Sequence, residues 1–452
     1  MQRVHSGPEM AKAWRMLIEA YPHCEILSWP VGHEVSYWKV PPAWILHCGI
    51  LTDPNGKVIA DSNWNPLHVF CYSPPFKGAI TLEELDKHLF SNPHKPERIP
   101  FHFRNQYRLW EADWGFCIPH MVRENLPDGE YYVDINTEYD DSAPMEGVLQ
   151  THEGQLSDSL LFVSHFDHPA QTCDGLLGCI AGHEVITRLS GRNTRLTYRM
   201  LSSVEVVGSV FYATERAVND GVREAMVTAT AGARGPLVYA RSAHEQAFVD
   251  RAMIHILKHA YPESKNVPFR STLGNDEGAF DVAGVNIPCG SFMRWPFPEY
   301  HTDADTPDAV DDELFETFVR LIMRMIDIAE HNSVLLPRFT GLPCLANPDI
   351  NLYISPARIS GIGAGEDPNS ARLMERLLDE STREEARQYA DSFNYLMKLL
   401  PVLADGTNTT LDVAERCNLP FFLVDAYTDM WVEAGLLEKR WVNPFSKNIN
   451  LT

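Results

Sequence analysis

Between about residues 146 and 332, short apolar runs alternate with long amphipathic segments, and this alternation constrains the fold more than any other feature of the chain. The runs LLFVS, TYRMLSS, AMVTATA, GPLVYA and NIPCGSFMR are the length of strands and nearly continuous in apolar character. Strands buried on both faces read that way. Between them, GLLGCIAGHEVITRLS, a segment near 208–217, EQAFVDRAMIHILKHAY and DDELFETFVRLIMRMIDIAEH carry apolar residues at helical spacing. Buried runs joined by helices predict an α/β fold with a doubly wound, mainly parallel sheet. The helical text at 8–21 is expected to pack on this sheet.

The intervening stretch reads differently. From about 35 to 145 the text is strand-like and rich in turns, with Asn55-Gly56 after Asp53-Pro54 and Asp128-Gly129 before Tyr131-Tyr132-Val133. Such pairs mark hairpin turns, because glycine tolerates the positive φ they require. The expected organisation is therefore 1–34 as the first part of the α/β domain, 35–145 as a β-rich insert and 146–336 as the rest of that domain. A Pro/Gly-rich linker at 337–368 and a C-terminal unit at 369–452 complete it. In that unit TTLDVAERCNLP reads as a helix and tight turn, PFFLVDAYTDMWVEAG as a second helix and GLLEKRWV as the start of a hairpin. This pattern predicts a winged helix-turn-helix.

Charge narrows the function. Lys and Arg number 38 against 61 Asp and Glu, a net charge of −23. That balance repels phosphate backbones and anionic lipid headgroups, which argues against nucleic-acid or membrane-surface partners. The C-terminal stretch 360–452 holds nine Lys and Arg against fifteen Asp and Glu, and residues 420–434, the recognition helix of a winged helix, contain no Lys or Arg. DNA readout depends on such side chains, so this unit is expected to serve packing or dimerisation. No apolar run approaches the roughly 18 residues of a membrane span. The nine cysteines are scattered with no C-x-x-C, which fits reduced thiols and a cytoplasmic location.

Four clusters carry the chemistry, each at the end of a buried run. LLFVSHFDHPAQTCDG supplies His165, Asp167, His168 and Asp174, and YRMLSSVEVVGS supplies Glu205. GNDEGAF supplies Asp276 and Glu277, and FPEYHTDADTPD supplies His301 with Asp303 and Asp305. Taken singly, each acid also reads as a helix cap or a loop residue. Taken together they place imidazoles and carboxylates, the donors zinc accepts, at the strand ends where open α/β sheets bind ligands. Counting one of His165 and His168 with Asp174, Glu205, Asp276 and His301 gives two imidazoles and three carboxylates. That is the inventory of a two-metal site, with a shared aspartate and an acid left for the attacking water. Glu205 is the expected base and Glu277 the reserve.

The order H-x-D, D-G, E-x-x-G-S, D-x-x-x-F-x-x-x-G-x-x-I-P, Y-H-T resembles the dizinc aminopeptidase family. More closely, the whole chain resembles bacterial aminopeptidase-like proteins with a small β-rich insert and a C-terminal winged helix. The resemblance implies a phosphorylase/hydrolase-like α/β domain binding two zinc ions through His168 or His165, Asp174 as the bridge, Asp276 and His301. Arg294 and Tyr300, near the last cluster, are candidates for holding substrate. Two departures from the family pattern stand out. His165 and Asp167 replace the aromatic and cysteine of close relatives, leaving open which histidine binds metal. Only Glu205 stands where aminopeptidases carry two adjacent glutamates, and Val206 follows it.

The expected activity is hydrolysis of an amide or peptide bond in a small peptide or amino-acid conjugate, by a chain that forms a homo-oligomer. A metal-binding pseudoenzyme that recognises a ligand is the alternative raised by the missing second glutamate. A transcription regulator is disfavoured by the acidic helix, and a mononuclear iron oxygenase built on His165, Asp167 and His301 is disfavoured by the α/β context.

Overall fold

The structure, a computed structural model, describes residues 1–355, 368–377 and 380–446. It forms two compact units, one of 1–245 with 265–319 and one of 246–264 with 320–452.

The first unit is built on an eight-stranded sheet. Its helix α1 (Pro8–Ala20) begins with proline in its first turn, where no amide donor is missed, and buries Met10, Ala13, Trp14 and Leu17 on one face. The sheet strands are β1 (Cys24–Trp29), β2 (Met145–His152), β3 (Ser159–His165), β4 (Thr197–Ser203), β5 (Val222–Ala229), β6 (Leu237–Ala240), β7 (Lys265–Val267) and β8 (Cys289–Arg294). Their order across the sheet is β1-β2-β4-β3-β5-β8-β6-β7. The centre, β4-β3-β5-β8, is parallel, while β1 and β2 add antiparallel strands at one edge and β6 runs antiparallel to β8. Every residue of β3 is buried, as a strand covered on both faces must be. Helix α2 (Leu176–Arg188) follows β3, and α3 (Val207–Glu215) follows β4. The carboxyl ends of β3 and β4 thus lie side by side, with His165 paired to Ser203 in register.

Residues between β1 and β2 make a second sheet of four antiparallel strands, ordered Val58–Asp61, Ala43–Thr52, Glu130–Asp140, Phe76–Thr81. In the last of these pairings Phe76–Thr81 runs against Glu130–Ile135. The side chains alternate between buried and exposed along Glu130–Asp140, and Tyr131, Val133 and Ile135 join Trp44, Leu51 and Phe116 in a separate core.

In the second unit, Thr409 caps the helix Thr410–Cys417 by a reciprocal pair of hydrogen bonds with Asp412, and Asn418 ends it in the left-handed conformation. The helix Phe421–Glu433 follows, burying Tyr427, Met430 and Trp431 with Leu352, Phe393 and Leu400. The strand Leu437–Trp441, where the sequence anticipates a hairpin, pairs antiparallel with Ser333–Pro337. Of the expected linker at 337–368, residues 356–367 lie outside the described residues. No helix among the described residues is long and apolar enough to cross a membrane.

Candidate active site

Two acids of the site are set by the same unusual turn. Gly175 has φ 83° and ψ −71°, and the Leu176 N–H returns to the Asp174 carbonyl at 3.2 Å. Val206 has φ 58° and ψ −54°, and the Val207 N–H returns to the Glu205 carbonyl at 2.6 Å. Both are γ-turns of the rarer, strained hand. Glycine is required at 175, since a Cβ there would lie 2.8 Å from His165 Cδ2. At 206 a β-branched residue carries the strain. Hydrogen bonds on both sides hold it, from Glu205 N–H to Asp167 Oδ1 at 2.7 Å and from Val206 N–H to Asp276 Oδ1 at 2.8 Å. Strain over-determined by its neighbours in this way clusters at functional positions.

Around Asp174 the imidazoles converge. His165 Nε2 is 3.4 Å from Oδ1, while His168 Nε2 and His301 Nε2 are 3.7 and 3.0 Å from Oδ2. Glu205 Oε2 is 3.9 Å from His168 Nε2. On its other nitrogen, His165 Nδ1 faces Asn275 Oδ1 at 3.1 Å and Asp276 Oδ2 at 3.4 Å. The loop bearing Asp174 is anchored from below by Asp305, which accepts the N–H groups of Cys173 and Asp174 at 2.6 and 3.0 Å.

Burial dominates the electrostatics. It works against an ionised Asp174, yet His168, His165 and His301 hold that carboxyl well below the ordinary range. It also works against a charged His165, but Glu205, Asp174 and Asp276 outweigh it and raise this imidazole well above its usual value. Burial, with His165 and His301 nearby, keeps His168 well below its usual value against the pull of Asp174. Burial pushes Glu205 up to about 8 against the pull of His165, the direction that suits a group required to take up a proton.

The remaining sequence candidates sit around this core. Asp167 is buried, its Oδ2 3.9 Å from His5 Nε2, and burial raises it to about 6. Glu277 accepts the Asn275 N–H on both oxygens at 3.0 Å, and its Oε1 lies 3.3 Å from Arg270 Nε. The Arg294 guanidinium donates to the Gly235 carbonyl at 2.9 Å. Tyr300 stacks on His301, ring centroids 3.8 Å apart. Asp303 ties the His301 loop to the insert region by accepting the Ile99 N–H at 3.0 Å.

That tie brings in residues which the sequence reading missed. Phe101 N–H donates to the His301 carbonyl at 3.0 Å, and the Phe101 ring meets His168 and His301 edge-on, each at 5.2 Å. Phe103 packs at 5.4 Å from His301, and the Tyr107 hydroxyl donates to Glu205 Oε2. The only sequence signal for these residues is the aromatic density of FHFRNQYRLW, which does not say where the segment docks.

The donor set suits a divalent zinc-type ion. His165, His168 and Asp174 each offer a ligand atom within 4.8 Å of the others, all buried. Among the described residues Asp174 Oδ2 is buried without a well-formed hydrogen bond, and such an atom costs stability unless a cation or donor satisfies it.

Known proteins share this architecture. A protein of Clostridium acetobutylicum, described as a candidate polysaccharide biosynthesis protein with an aminopeptidase-like domain, is 27% identical over 411 residues, covering 90% of this chain and 86% of its own length. The crystal structure of a candidate peptidase from the same organism superposes with a TM-score of 0.76 at 22% identity, over 97% of this chain and 93% of that one. A zinc aminopeptidase from Bacillus subtilis gives a TM-score of 0.53 at 12% identity, over 72% of this chain and 90% of its own. At these identities the structural likeness shows the fold, a mixed α/β aminopeptidase-type architecture with a mainly parallel central sheet. A family described as a domain of unknown function, DUF4910, matches residues 1–332, and the chain belongs to that family.

Proposed function

We propose that the chain is a zinc-dependent hydrolase of amide or peptide bonds, acting on a small peptide or an amino-acid conjugate. The observation that carries this reading is the convergence of His165, His168 and His301 on Asp174, with Glu205 beside them. His165, His168, Asp174 and His301 are the residues that would hold the ion. When bound, zinc supplies Lewis-acid polarisation of a carbonyl and makes water a competent nucleophile near neutral pH.

The protein groups do the rest. Glu205 takes the proton of the attacking water and returns it to the departing amine, as a base poised near the working pH does. Tyr107 fixes the Glu205 carboxylate by its hydroxyl. Phe101 and Phe103 wall the histidines with apolar rings, which limits bulk water and strengthens the charges inside. The aminopeptidase-type fold and the aminopeptidase-like domain in the name of the 27%-identical relative support an amide bond as the target. That name also mentions polysaccharide biosynthesis, which supports a biosynthetic intermediate, such as an amide-linked sugar, as the substrate class.

The C-terminal helix pair with its following strand supports a winged-helix element used for packing or dimerisation. All nine cysteines are free thiols, in keeping with a reducing, cytoplasmic setting. One observation favours a second reading, a ligand-binding protein without turnover: the place after Glu205 is held by Val206, so one glutamate stands where a base and a ligand would need two. A panel of aminoacyl-anilides and amino-acid amides of sugars, assayed on zinc-loaded protein, separates the two. Turnover of any member supports the hydrolase, and binding without turnover across the panel supports the second reading.

A further inference from the structure

The donor inventory of the sequence suits two ions with Asp174 between them. We propose instead that the site takes one ion per chain, held by the Nε2 atoms of His165, His168 and His301 together with Asp174, and that Asp276 orients His165 rather than binding a second ion. This rests on the metal-dependent reading of the site and goes beyond it in ion count and ligand roles.

Distances favour a single coordination sphere. Two atoms each 2.0–2.1 Å from one tetrahedral zinc are about 3.3 Å apart. The three imidazole nitrogens lie 3.0, 3.4 and 3.7 Å from the Asp174 oxygens, and the His165 and His168 rings are 4.5 Å apart between centroids. His165, His168 and Asp174 each offer a ligand atom within 4.8 Å of the others, close enough to share one ion, and His301 Nε2 lies 3.0 Å from the same carboxylate.

Asp276 is placed for a different task. Its Oδ1 accepts the Val206 N–H at 2.8 Å, and its Oδ2 faces His165 Nδ1 at 3.4 Å, with Asn275 Oδ1 facing the same nitrogen at 3.1 Å. Nδ1 is the far side of the imidazole from Asp174. A carboxylate there fixes the ring and its tautomer and raises its basicity, as the outer partner of a metal-binding histidine does. It does not share an ion with the nitrogen on the other side.

The neighbouring strand offers no substitute ligand. Strand β5 lies beside β3 in the sheet and ends at Ala229, followed by Thr230-Ala231-Gly232. The Thr230 hydroxyl is spent on the Arg294 backbone, donating to its carbonyl at 2.9 Å and accepting its N–H at 3.1 Å. Glu277, the acid next to Asp276, is taken by Asn275 and Arg270. A second ion would have to draw on Glu205, the carboxylate that Tyr107 holds and that the reaction needs as its base.

Metal content decides the count. Full-length protein, saturated with zinc and freed of loose ion by gel filtration, is assayed by elemental analysis, and the cobalt(II)-substituted form by its visible absorption. One ion per chain is expected in the wild type. Asp276→Asn keeps an acceptor for the Val206 N–H and is expected to retain one ion with lower affinity, while His301→Gln loses at least ten-fold in affinity. Two ions in the wild type overturn the proposal while leaving the hydrolase reading intact, and so does a drop from two to one in Asp276→Asn. One ion without turnover of any substrate supports the proposal and removes the hydrolase reading, and no bound ion overturns both. Should Asp276→Asn fail to fold, the wild-type stoichiometry alone decides.

Discussion

Tyr107 donates its phenolic hydrogen bond to Glu205 Oε2, although the two lie 98 residues apart and Tyr107 belongs to the region inserted between β1 and β2. The inserted region therefore contributes to the site as well as surrounding it. The backbone enforces this, because Phe101 N–H is bonded to the His301 carbonyl and Asp303 N–H to the Ile99 carbonyl, each at 3.0 Å.

Tyr107→Phe removes that hydroxyl and little else. A hydrogen bond to a charged group is worth about 1.5–3 kcal/mol, so kcat is expected to fall roughly 10- to 100-fold at unchanged zinc content and with little change in KM. Steady-state kinetics beside elemental analysis checks it. Loss of zinc in the variant would mean that Tyr107 supports the fold of the site and not the base.

Glu205→Gln keeps the shape of the side chain and removes its basicity. Zinc is expected to stay, and kcat to drop by about 10²–10⁴. Glu277→Gln is the control, since Glu277 is bonded to Asn275 and faces Arg270. It is expected to cost stability in thermal melts and to leave kcat within a few-fold. A kinetic loss in Glu277→Gln alone would exchange the two roles.

Asp305 acts through the loop that it anchors. Asp305→Ala frees the N–H groups of Cys173 and Asp174, and zinc affinity is expected to weaken by about 10- to 100-fold, the usual effect of losing an outer partner. Competition with a chromophoric chelator measures it. Wild-type affinity would show that the turn at Gly175 positions Asp174 unaided.

The pH response of folding is expected to depend on His183. Burial lowers this histidine from 6.5 to about 3, with Nδ1 facing Gln150 Oε1 and Nε2 facing Ser202 Oγ. Above pH 6.5 it is neutral in both folded and unfolded chains. As pH falls below that value the unfolded chain takes up a proton that the native state refuses, so stability is lost at about 1.4 kcal/mol per pH unit until the native value is reached. Denaturant titrations of chelator-treated protein at pH 7 and pH 5 are expected to show His183→Gln sparing about 2 kcal/mol of the acid loss. Equal losses in both proteins would contradict this.

Much of the α/β layer is legible in the sequence, because burial on two faces writes itself as continuous apolar text. The run LLFVS becomes β3 and TYRMLSS becomes β4, and the polar residues that end them lie together at the site. What periodicity does not encode is the partner of an amphipathic segment. The helix Phe248–Ala260 reads as part of the α/β alternation yet falls in the second compact unit. The strand Leu437–Trp441 likewise pairs with a segment some hundred residues earlier. Within the site, residue type identifies a histidine or an acid as a donor, but not which atom faces the cluster. His165 and His168 look equivalent in sequence, and only their neighbours distinguish them: Asp276 and Asn275 hold the outer nitrogen of His165, whereas His168 Nδ1 has no hydrogen-bond partner among the described residues. Tyr107 was illegible because it reaches Glu205 through a loop whose docking depends on backbone pairing at Pro100 and Thr302.

The central claim, metal-dependent hydrolysis at the Asp174 cluster, is tested most directly by removing and restoring zinc. Full-length protein is stripped with a chelator, shown to be metal-free by elemental analysis, and assayed on the aminoacyl-amide panel before and after zinc is returned. Hydrolysis is expected to vanish on stripping and to return with zinc in the wild type, and to stay absent in Asp174→Asn. Undiminished hydrolysis by protein verified free of metal, or full activity in Asp174→Asn, would contradict the account.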